Sequence, residues 1–369
     1  MLVSSLKCLL AWYEESKRPL PWRLNRDPYS VMVSEFMCQQ TTVAAATPKY
    51  LAWKQSFPSV ETLASADLDS VLAHWSGLGY YQRARRLHRA AQDIVELGYF
   101  PDTVKELQKL PGFGPYTAAA VASICFERPT LAIDTNVIRV LYRYYAFDGE
   151  AQDKKLHQNL REKTRPSMAL CNSGDLNQAL MELGATICSN KRPACGECPL
   201  AVSCLGRKNP KGATAYPRTA KKQAPRLTPG TVVMLETPSA GNLLFVRGTS
   251  LGLLKDLFQP PIIFRNEGHE HPIDRVVRPF VLQAAESREL QIPELNYSIS
   301  GRKLELKILH VSLEKKNWAK LKKSLHENKI HSALWSLERA ESLKAQLPIS
   351  TLTRKVLEKD LENRRVVQR

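Results

Sequence analysis

The chain has 369 residues, and its 53 Lys and Arg against 36 Asp and Glu give a formal net charge of +17. That length allows two domains with a sizeable core, and that charge favours a polyanionic partner, either nucleic acid or an anionic membrane surface. Because no apolar run could span a bilayer and no secretory leader is evident, we expect a soluble, unprocessed, cytoplasmic protein.

The first part of the chain has helical periodicity. Leu6, Leu9, Leu10 and Tyr13 recur at the spacing of an amphipathic helix near the N-terminus. Residues 27–57 predict a second helix, which Pro48 should break or kink because proline removes a helical hydrogen bond. This half of the chain is therefore predicted to be mainly α.

Glu35 lies in this second predicted helix, among Val33, Phe36 and Met37 and one turn before Gln39. A carboxyl group in a half-apolar pocket has a raised pKa, which suits a general acid near neutral pH. The ordinary alternative is an exposed glutamate on the polar side of a helix. The segment alone leaves both interpretations open.

A glycine-pinned turn at residues 77–79 is followed by Tyr80, Tyr81, Arg83, Arg85 and Arg86. Aromatic rings among cations suit a surface on which bases stack and phosphates bind. The alternative is a helix with a solvated basic face.

Gly112 and Gly114 follow Pro111 and precede an alanine-rich run that should begin a helix near Thr117. Because 104–110 also has helical spacing, the pattern predicts a helix, a glycine-rich hairpin and a second helix. Amides at such a helix start bind a phosphodiester well. An ordinary C-cap turn is the alternative, whereas a Rossmann or Walker loop would need a preceding strand.

Asp134 comes just before the periodic run Val137, Val140 and Leu141. It should therefore lie at a helix N-terminus, where its charged form gains about 0.3–1 kcal/mol. This carboxylate is either a plain N-cap or a charge held ready to face a cation.

Four cysteines are closely spaced in the chain, at Cys188, Cys195, Cys198 and Cys204. Without secretory features, this spacing predicts metal binding rather than disulfides. A single CxxC pair favours a [4Fe–4S] cluster over zinc, because zinc ribbons and fingers usually have two compact pairs.

The composition changes after Cys204. Residues 206–230 are rich in Lys, Pro, Thr and Ala and predict an interdomain linker. Beyond it, strands are predicted at 231–236, 242–247 and 303–313, and helices at 318–326 and 333–346. We therefore predict a helical domain over 1–205, a linker over 206–230 and an α+β domain over 231–369.

The motifs LPGFGPYT and IDTNVIRV, with the cysteine spacing, resemble the endonuclease III superfamily of helix-hairpin-helix DNA glycosylases, densely over residues 20–205. Members that also cut the strand usually carry a lysine after GFGP, where this chain has Tyr116. The chain therefore resembles the monofunctional adenine glycosylases of the MutY family. The resemblance implies a monomer with a [4Fe–4S] cluster. It would hydrolyse the glycosidic bond of adenine opposite 8-oxoguanine or guanine in double-stranded DNA and leave an abasic site.

The resemblance also implies roles for single residues. Glu35 would protonate adenine at N7, and Asp134 would stabilise the cation-like sugar from its other face. Tyr116 would position or hydrogen-bond Asp134, and Asn136 would help to hold the sugar and the attacking water. The residues expected to contact DNA or the flipped base are Trp22, Arg23, Gln39, Gln40, Tyr80, Gly112, Gly114 and Gln178. For Trp22, a simple core position stays open.

Beyond residue 230 the resemblance is thin, and it is to a Nudix (MutT)-like domain that reads the 8-oxoguanine. Ile299, Ser300 and Gly301 stand where the family has Phe, Ser and His. With the histidine missing, we expect Ser300 to keep part of the contact and discrimination to be weaker.

Two other functions stay open. The first is an endonuclease III-like enzyme acting on oxidised pyrimidines, which Tyr116 and the C-terminal domain disfavour. The second is a non-catalytic iron–sulfur protein that binds DNA, which Glu35 and Asp134 disfavour because phosphate binding needs neither carboxylate.

Overall fold

The structure is a computed structural model that describes residues 1–218, 224–238, 242–247, 257–264, 272–285, 294–299, 301–336 and 352–359. Its contacts divide the chain into two compact units. The first unit is Met1–Ala66 with Gln82–Lys222, and the second is Asp67–Tyr81 with Gln223–Arg369. Among the described residues, no helix has the length and apolar character that crossing a membrane requires.

Helices follow one another along the first 208 residues. They are α1 (Val3–Ser16), α2 (Pro28–Cys38), α3 (Val43–Ser56), α4 (Val60–Ser65), α5 (Leu68–His74), α6 (Gln82–Leu97), α7 (Val104–Leu107), α8 (Pro115–Phe126), α9 (Thr135–Tyr145), α10 (Lys154–Met168), α11 (Ser173–Thr186) and α12 (Leu205–Lys208). A short 3-10 turn, Pro21–Arg23, precedes α2. The mainly α character predicted for this half is confirmed.

Side-chain caps determine where many of these helices begin. Asp27 accepts a hydrogen bond from the Ser30 amide at the start of α2, and Asn172 accepts one from Asp175 at the start of α11. Such caps are worth about 1 kcal/mol each. In the first unit, α1, α9 and α11 bury Leu9, Leu141 and Leu180 together in one core. That core fixes the positions of the helix ends that carry the candidate site.

The predicted break at Pro48 was wrong. Pro48 lies inside α3, and the chain instead leaves the helix between Cys38 and Val43. There Gln40 has a φ of 56°, which a continuous helix does not allow. The guanidinium of Arg83 donates to the carbonyls of Phe36, Met37 and Gln39 and so satisfies the end of α2.

The described part of the second unit forms a mixed sheet of seven strands. They are β1 (Arg226–Glu236), β2 (Asn242–Arg247), β3 (Phe258–Gln259), β4 (Ile262–Phe264), β5 (Glu294–Ile299), β6 (Arg302–Ser312) and β7 (Ser332–Ser336). The order is β3-β2-β1-β6-β5, with β4 also paired to β1 and β7 to β2. β1 and β6 are parallel, and the other pairs are antiparallel.

Helices cover both faces of this sheet. On one face, α13 (Pro272–Ala285) and α14 (Lys315–Glu327) pack through Val277 and Leu321 against Val233 and Leu235. On the other, the helix α15 (352–359) packs through Val356 against Val232 and Phe245, among others. Successive residues of a strand point to opposite faces of the sheet and so enter these two apolar layers in turn, which explains the alternating pattern of the strands. The predicted α+β class is confirmed.

The prediction of a helix over 333–346 was wrong where the structure describes it. Residues 333–336 belong to β7, which pairs antiparallel with β2 in the register Phe245↔Ala333. Backbone pairing with a distant strand here overrides local helix propensity. Within the predicted linker, α12 extends to Lys208 and β1 begins at Arg226. The domain limits themselves stay a prediction.

Candidate active site

Glu35 lies on α2, half-buried between the fully buried helix residues Ser34 and Phe36. Burial raises the pKa of Glu35 to about 7, and the negative charge of Asp134 adds to this. A hydrogen bond with Tyr116 and the charge of Arg23 act in the opposite direction. At neutral pH this carboxyl is therefore poised to hold a proton and to release it.

Asp134 is the N-cap of α9, as predicted from the sequence. Its Oδ1 accepts from the Val137 amide at 2.6 Å, and its Oδ2 accepts from Asn136 Nδ2 at 2.8 Å. Burial raises the pKa of Asp134 above its usual value, and these donors and the charge of Arg139 offset only part of that rise. The donors favour the ionised form at a helix start, where the helix dipole does the same.

Tyr116, near the start of α8, lies between the two carboxyl groups. Its hydroxyl is hydrogen-bonded to Glu35 and lies 3.8 Å from Met181 Sδ. Burial, followed by the charges of Glu35 and Asp134, raises its pKa well above the usual value. Of the two carboxyl groups, Glu35 is the one hydrogen-bonded to the phenol, and Asp134 acts on the phenol through its charge; the positioning of Asp134 by Tyr116 stays a prediction.

Arg139 joins the Asp134 end of α9 to the last turn of α11. It donates through Nη2 to Asn136 Oδ1 at 2.8 Å and to the Gly184 carbonyl at 2.5 Å, and through Nε to the Cys188 carbonyl at 2.7 Å. Gly184 is needed for this approach because a Cβ there would lie 2.6 Å from Asn136 Cβ. Asn136 is therefore held on both sides.

Arg23 is held beside the site by Glu182 of α11. Its Nη2 donates to Glu182 Oε2 at 2.8 Å, and Arg18 donates to both oxygens of the same carboxylate. Trp22, its neighbour, meets Tyr50 edge to face at 5.2 Å and is only half-buried. Gln178 lies one turn before Glu182 and is also half-buried. Arg23, Trp22 and Gln178 therefore all belong to the first unit, with Glu35.

The glycine hairpin lies directly against α2. Gly112 has a φ of 85°, and a Cβ there would lie 2.6 Å from the Phe36 ring. Gly114 is the N-cap of α8, and it makes no side-chain cap hydrogen bond to the first amides of that helix. An open groove of about 520 Å³ follows the hairpin, lined by Gln39, Arg86, Gln108, Gly112, Phe113, Gly114 and Thr117, among others.

The turn after α2 presents two glutamines. Gln39 donates to Thr117 Oγ1 at 3.2 Å, which brings it to the start of α8, and Gln40 is exposed. Of the predicted aromatic and basic surface, Tyr80 is 50% exposed and Arg86 is exposed, but Tyr81 and Arg83 are buried. The assignment of those two to a DNA-facing surface was wrong, because Arg83 caps α2 instead.

Two of the residues predicted to contact DNA, Tyr80 and Ser300, do not belong to the described part of the first unit, which contains Glu35 and Asp134. Tyr80 belongs to the second unit and has a φ of 47° in the turn before α6. Ser300 lies outside the described residues. Of the residues around it, Ile299 and Arg302 pair across β5 and β6, and Gly301 has a φ of 75°.

The four cysteines lie in a loop between α11 and α12. All are half-buried free thiols, and Cys188, Cys198 and Cys204 pack against the core of the first unit. Burial, with the neighbouring Cys188, Cys204 and Cys195, raises the pKa of Cys198 to about 11. Such thiols lose their protons to a bound cation, so the donor set fits a metal group. Among the described residues, no three His, Cys, Asp or Glu side chains converge closely enough to hold a single metal ion.

Arg143 organises the first part of this loop. Its side chain is buried, and its guanidinium donates to the carbonyls of Ser189 at 2.7 Å and Asn190 at 2.9 Å and lies 3.4 Å from Cys188 Sγ. Its own carbonyl accepts from Cys204 Sγ at 3.4 Å. The first and last cysteines are thus tied to the same residue of α9.

Sequence reasoning missed four residues of this region: Arg18, Arg139, Arg143 and Glu182. For Glu182 a signal existed, since it is a carboxylate among the apolar residues of MELGA. The three arginines carry no local signal, because the partners that tie them to other helices and loops lie 45 or more residues away.

Residues 33–166 match the HhH-GPD superfamily of base excision DNA repair proteins. The adenine DNA glycosylase of Rattus norvegicus is 36% identical over 314 residues, which cover 71% of this chain and 61% of the relative. That of Buchnera aphidicola subsp. Acyrthosiphon pisum (strain APS) is 34% identical over 253 residues, which cover 68% of this chain and 71% of the relative. A solved thermostable thymine-DNA glycosylase matches with a TM-score of 0.49 and 26% identity, over 54% of this chain and 93% of that one.

The extent of these matches differs between relatives. The chain spans 56–61% of the length of the mammalian relatives it matches. For the Buchnera relative, the match includes more than two thirds of its length at over 30% identity. The chain therefore belongs to the adenine DNA glycosylase family.

Proposed function

We propose that this chain hydrolyses the N-glycosidic bond of adenine mispaired with 8-oxoguanine or guanine in double-stranded DNA and leaves an abasic site. The observation that carries this proposal is a pair of carboxyl groups with different environments. Burial raises the pKa of Glu35 to about 7, so a large fraction of it holds a proton near neutral pH, whereas Asp134 accepts two hydrogen bonds at a helix start that offset part of the effect of its burial. Two carboxyl groups whose environments separate their protonation are what an acid-assisted glycosyl cleavage needs.

In this mechanism the adenine leaves the base stack, since a glycosylase cannot reach the bond inside the duplex. Glu35 donates its proton to N7, and the base becomes a better leaving group. Positive charge then develops on the sugar, and the ionised Asp134 stabilises it. Asn136, fixed by Asp134 and Arg139, is placed to hold the sugar or the attacking water.

DNA is the proposed partner, and the hairpin is its proposed anchor. The close packing of Gly112 on Phe36 and the uncapped start of α8 support a phosphate site next to Glu35. Gln39 and Gln40 follow directly on the helix that carries Glu35, so they are suited to enter the space that the flipped base leaves. Trp22, Arg23 and Gln178 are proposed to contact the adenine, and Tyr80 and Ser300 to contact the DNA near the lesion.

Strand cutting is not part of this proposal. A glycosylase that cuts the strand through a Schiff base needs an amine, and Tyr116 offers a phenol with a pKa raised far above neutrality. Borohydride should therefore trap little covalent complex with the natural protein and more with Tyr116→Lys. Equal trapping would contradict the monofunctional assignment.

We also propose that Cys188, Cys195, Cys198 and Cys204 hold a [4Fe–4S] cluster. When bound, the cluster would cross-link the loop after α11 and keep it in one conformation. Metal analysis of anaerobically purified protein should find iron and inorganic sulfide, and Cys198→Ser should lose both. One tightly bound zinc without iron would contradict this assignment.

The central experiment measures single-turnover release of adenine from duplexes containing A:8-oxoguanine, A:G or A:T, with an oxidised-pyrimidine duplex alongside. We expect release from the first two, a nick only after alkali, and elution of the free protein as a monomer. Release of the oxidised pyrimidine without adenine would favour the endonuclease III-like alternative. Binding without release of any base would favour a non-catalytic DNA-binding protein.

The second unit is proposed to read the 8-oxoguanine. Because Gly301 stands where the family has histidine, we propose that the preference for A:8-oxoguanine over A:G is weak in this chain. A lost base contact costs about 1–3 kcal/mol of discrimination. The assay above compares the two duplexes directly, and a strong preference in the natural protein would contradict this part of the proposal.

A further inference from the structure

Glu182 is a completely buried carboxylate, and arginines occupy both of its oxygens. Arg18 donates through Nε to Oε1 at 2.5 Å and through Nη2 to Oε2 at 2.9 Å, and its backbone amide reaches Oε1 at 3.3 Å. Arg23 donates through Nη2 to Oε2 at 2.8 Å. Burial alone would raise the pKa of Glu182, but these hydrogen bonds outweigh it and hold the pKa below its usual value. Glu182 is therefore ionised at neutral pH.

Arg23 is shared between Glu182 and the site. Its Nη1 donates to the Arg18 carbonyl at 3.2 Å, so the guanidinium is tethered by two hydrogen bonds on the Glu182 side. Its side chain is only 13% exposed, which leaves it few other partners in solvent. Its charge nevertheless reaches Glu35, where it favours the ionised form against the effect of burial.

The direction in which Arg23 points therefore matters for catalysis. An opposite charge within about 4–6 Å lowers the pKa of a carboxyl group by about 1–3 units. A buried arginine that loses its carboxylate partner seeks another, because leaving the charge unpaired is costly. Glu35 is the carboxyl group whose ionised form Arg23 already favours.

From this geometry we propose that Glu182 is a positioning residue that holds Arg23 away from Glu35 and so keeps the catalytic carboxyl protonated at neutral pH. The inference rests on the proposed adenine glycosylase function, in which the protonated Glu35 is the acid. Glu182 touches neither reacting atom in this scheme and acts through Arg23.

The other charged and titratable groups around the two carboxyl groups do not replace this role. Glu35 faces Tyr116 of α8 and Asp134 at the start of α9, and its charge also reaches the thiols of Cys38 and Cys125. Glu182 faces Arg18, Arg23 and the Tyr13 ring of α1. Arg23 is the group that both sets have in common.

The test is the pH dependence of single-turnover adenine release by Glu182→Gln, which keeps the shape of the side chain and removes its charge. For the natural protein the rate should fall as pH rises through the pKa of Glu35. In the variant this alkaline limb should move to lower pH by about one unit. At pH 8 the rate should then be about tenfold below the natural protein, and at pH 5.5 within about twofold.

Two further variants separate this role from a structural one. Glu182→Asp keeps the charge, so it should keep the position of the alkaline limb even if its rate is lower. Glu127→Gln is the matched control, because it removes the charge of a glutamate from an exposed pair with Arg26. It should change neither the rate of adenine release nor the position of the alkaline limb. Equal rate losses in Glu182→Gln at pH 5.5 and pH 8, with an unmoved limb, would overturn the inference.

If Glu182→Gln does not fold, Arg23→Gln gives the opposite readout. Removing the cation should move the alkaline limb to higher pH, whatever the effect on the maximal rate. An unmoved limb in folded Arg23→Gln would equally overturn the inference. The failure of the proposed function is distinct from both results, because the natural protein itself would then release no adenine.

Discussion

The end of α2 and the beginning of α9 each contribute one carboxyl group to the candidate site, and burial raises the pKa of both, but the two helix ends supply different numbers of hydrogen-bond donors. On α2, Glu35 lies inside a helix whose own amides are already paired, and burial dominates its titration. On α9, Asp134 lies before the helix, where an unpaired amide and the Asn136 side chain donate to it. Position relative to a helix end thus decides how many donors a carboxylate finds.

The environments of the two carboxyl groups, and not the difference between Glu and Asp, decide which one acts as the general acid and which as the stabilising anion. Two carboxyl groups in similar environments would titrate together and could not serve as acid and anion at one pH. Here Tyr116 supplies Glu35 with one polar partner, whereas Asp134 has two donors and the nearby Arg139. We therefore expect that variants which make the two environments alike will no longer keep one carboxyl group protonated while the other is ionised.

The largest expected effect comes from removing either charge. Glu35→Gln and Asp134→Asn should each lower the single-turnover rate by about 10²–10⁴-fold, as loss of a general acid or of electrostatic stabilisation does. DNA affinity should stay within about threefold, because neither carboxylate supplies a phosphate contact. Asp175→Asn, which alters a surface pair with Arg26, is the matched control. Near-natural rates in either variant would refute the role given to that residue.

The next effect is on stability and has a definite sign. The pKa of Glu35 is about 7 in the folded chain against 4.5 ordinarily, so the folded state binds its proton more tightly. The free energy of unfolding therefore falls as pH rises from about 4.5 to 7, and it stays lower by that amount above pH 7. Glu35→Gln should raise it at pH 8 by on the order of 1–3 kcal/mol and by less at pH 5. Urea denaturation at the two pH values measures this, and an equal gain at both would contradict it.

For Glu35, the segment with Val33, Phe36 and Met37 left an exposed glutamate open, and the family resemblance was needed to favour a catalytic acid. The helix-start position of Asp134 could be predicted because its signal is local: an aspartate before a periodic run marks an N-cap. The hairpin of Gly112 and Gly114 was predicted for the same reason, since its turn residues are consecutive.

What the sequence could not supply depends on partners far along the chain. The end of α2 is fixed by Arg83, more than forty residues later, and Glu182 meets Arg18 across 164 residues. Likewise, β7 is a strand because β2 offers an edge to pair with, about 90 residues earlier. Local helix and strand propensities contain no information about these distant partners. For this reason the predictions of a break at Pro48 and of a helix over 333–346 were wrong where the structure describes them.

A smaller effect should follow from loosening the donors of Asp134. Asn136→Ala removes the 2.8 Å hydrogen bond to Oδ2 and the acceptor for Arg139, but keeps the Cβ that packs on Gly184. Because that bond lowers the pKa of Asp134, its loss should move the acid limb of the pH–rate profile to higher pH. We expect the rate to be lower by up to about tenfold on the acid limb, below the pKa of Asp134, in line with one pKa unit, and to change little at neutral pH. An unmoved acid limb would mean that Asn136 acts on the substrate alone.

The smallest effect should come from Tyr116→Phe, and it acts on the other limb. The phenol's hydrogen bond lowers the pKa of Glu35 against burial, so removing the hydroxyl should raise that pKa further. The alkaline limb should then move to higher pH by about half a unit, and the rate at pH 8 should rise about threefold while that at pH 6 stays the same. Glu182→Gln moves this limb the other way, so the double variant should bring it back toward its natural position. A Tyr116→Phe variant that lost rate equally at all pH values would show that the phenol positions the substrate rather than tuning the acid. In that case burial, the charge of Asp134 and the charge of Arg23 would have to account for the titration of Glu35.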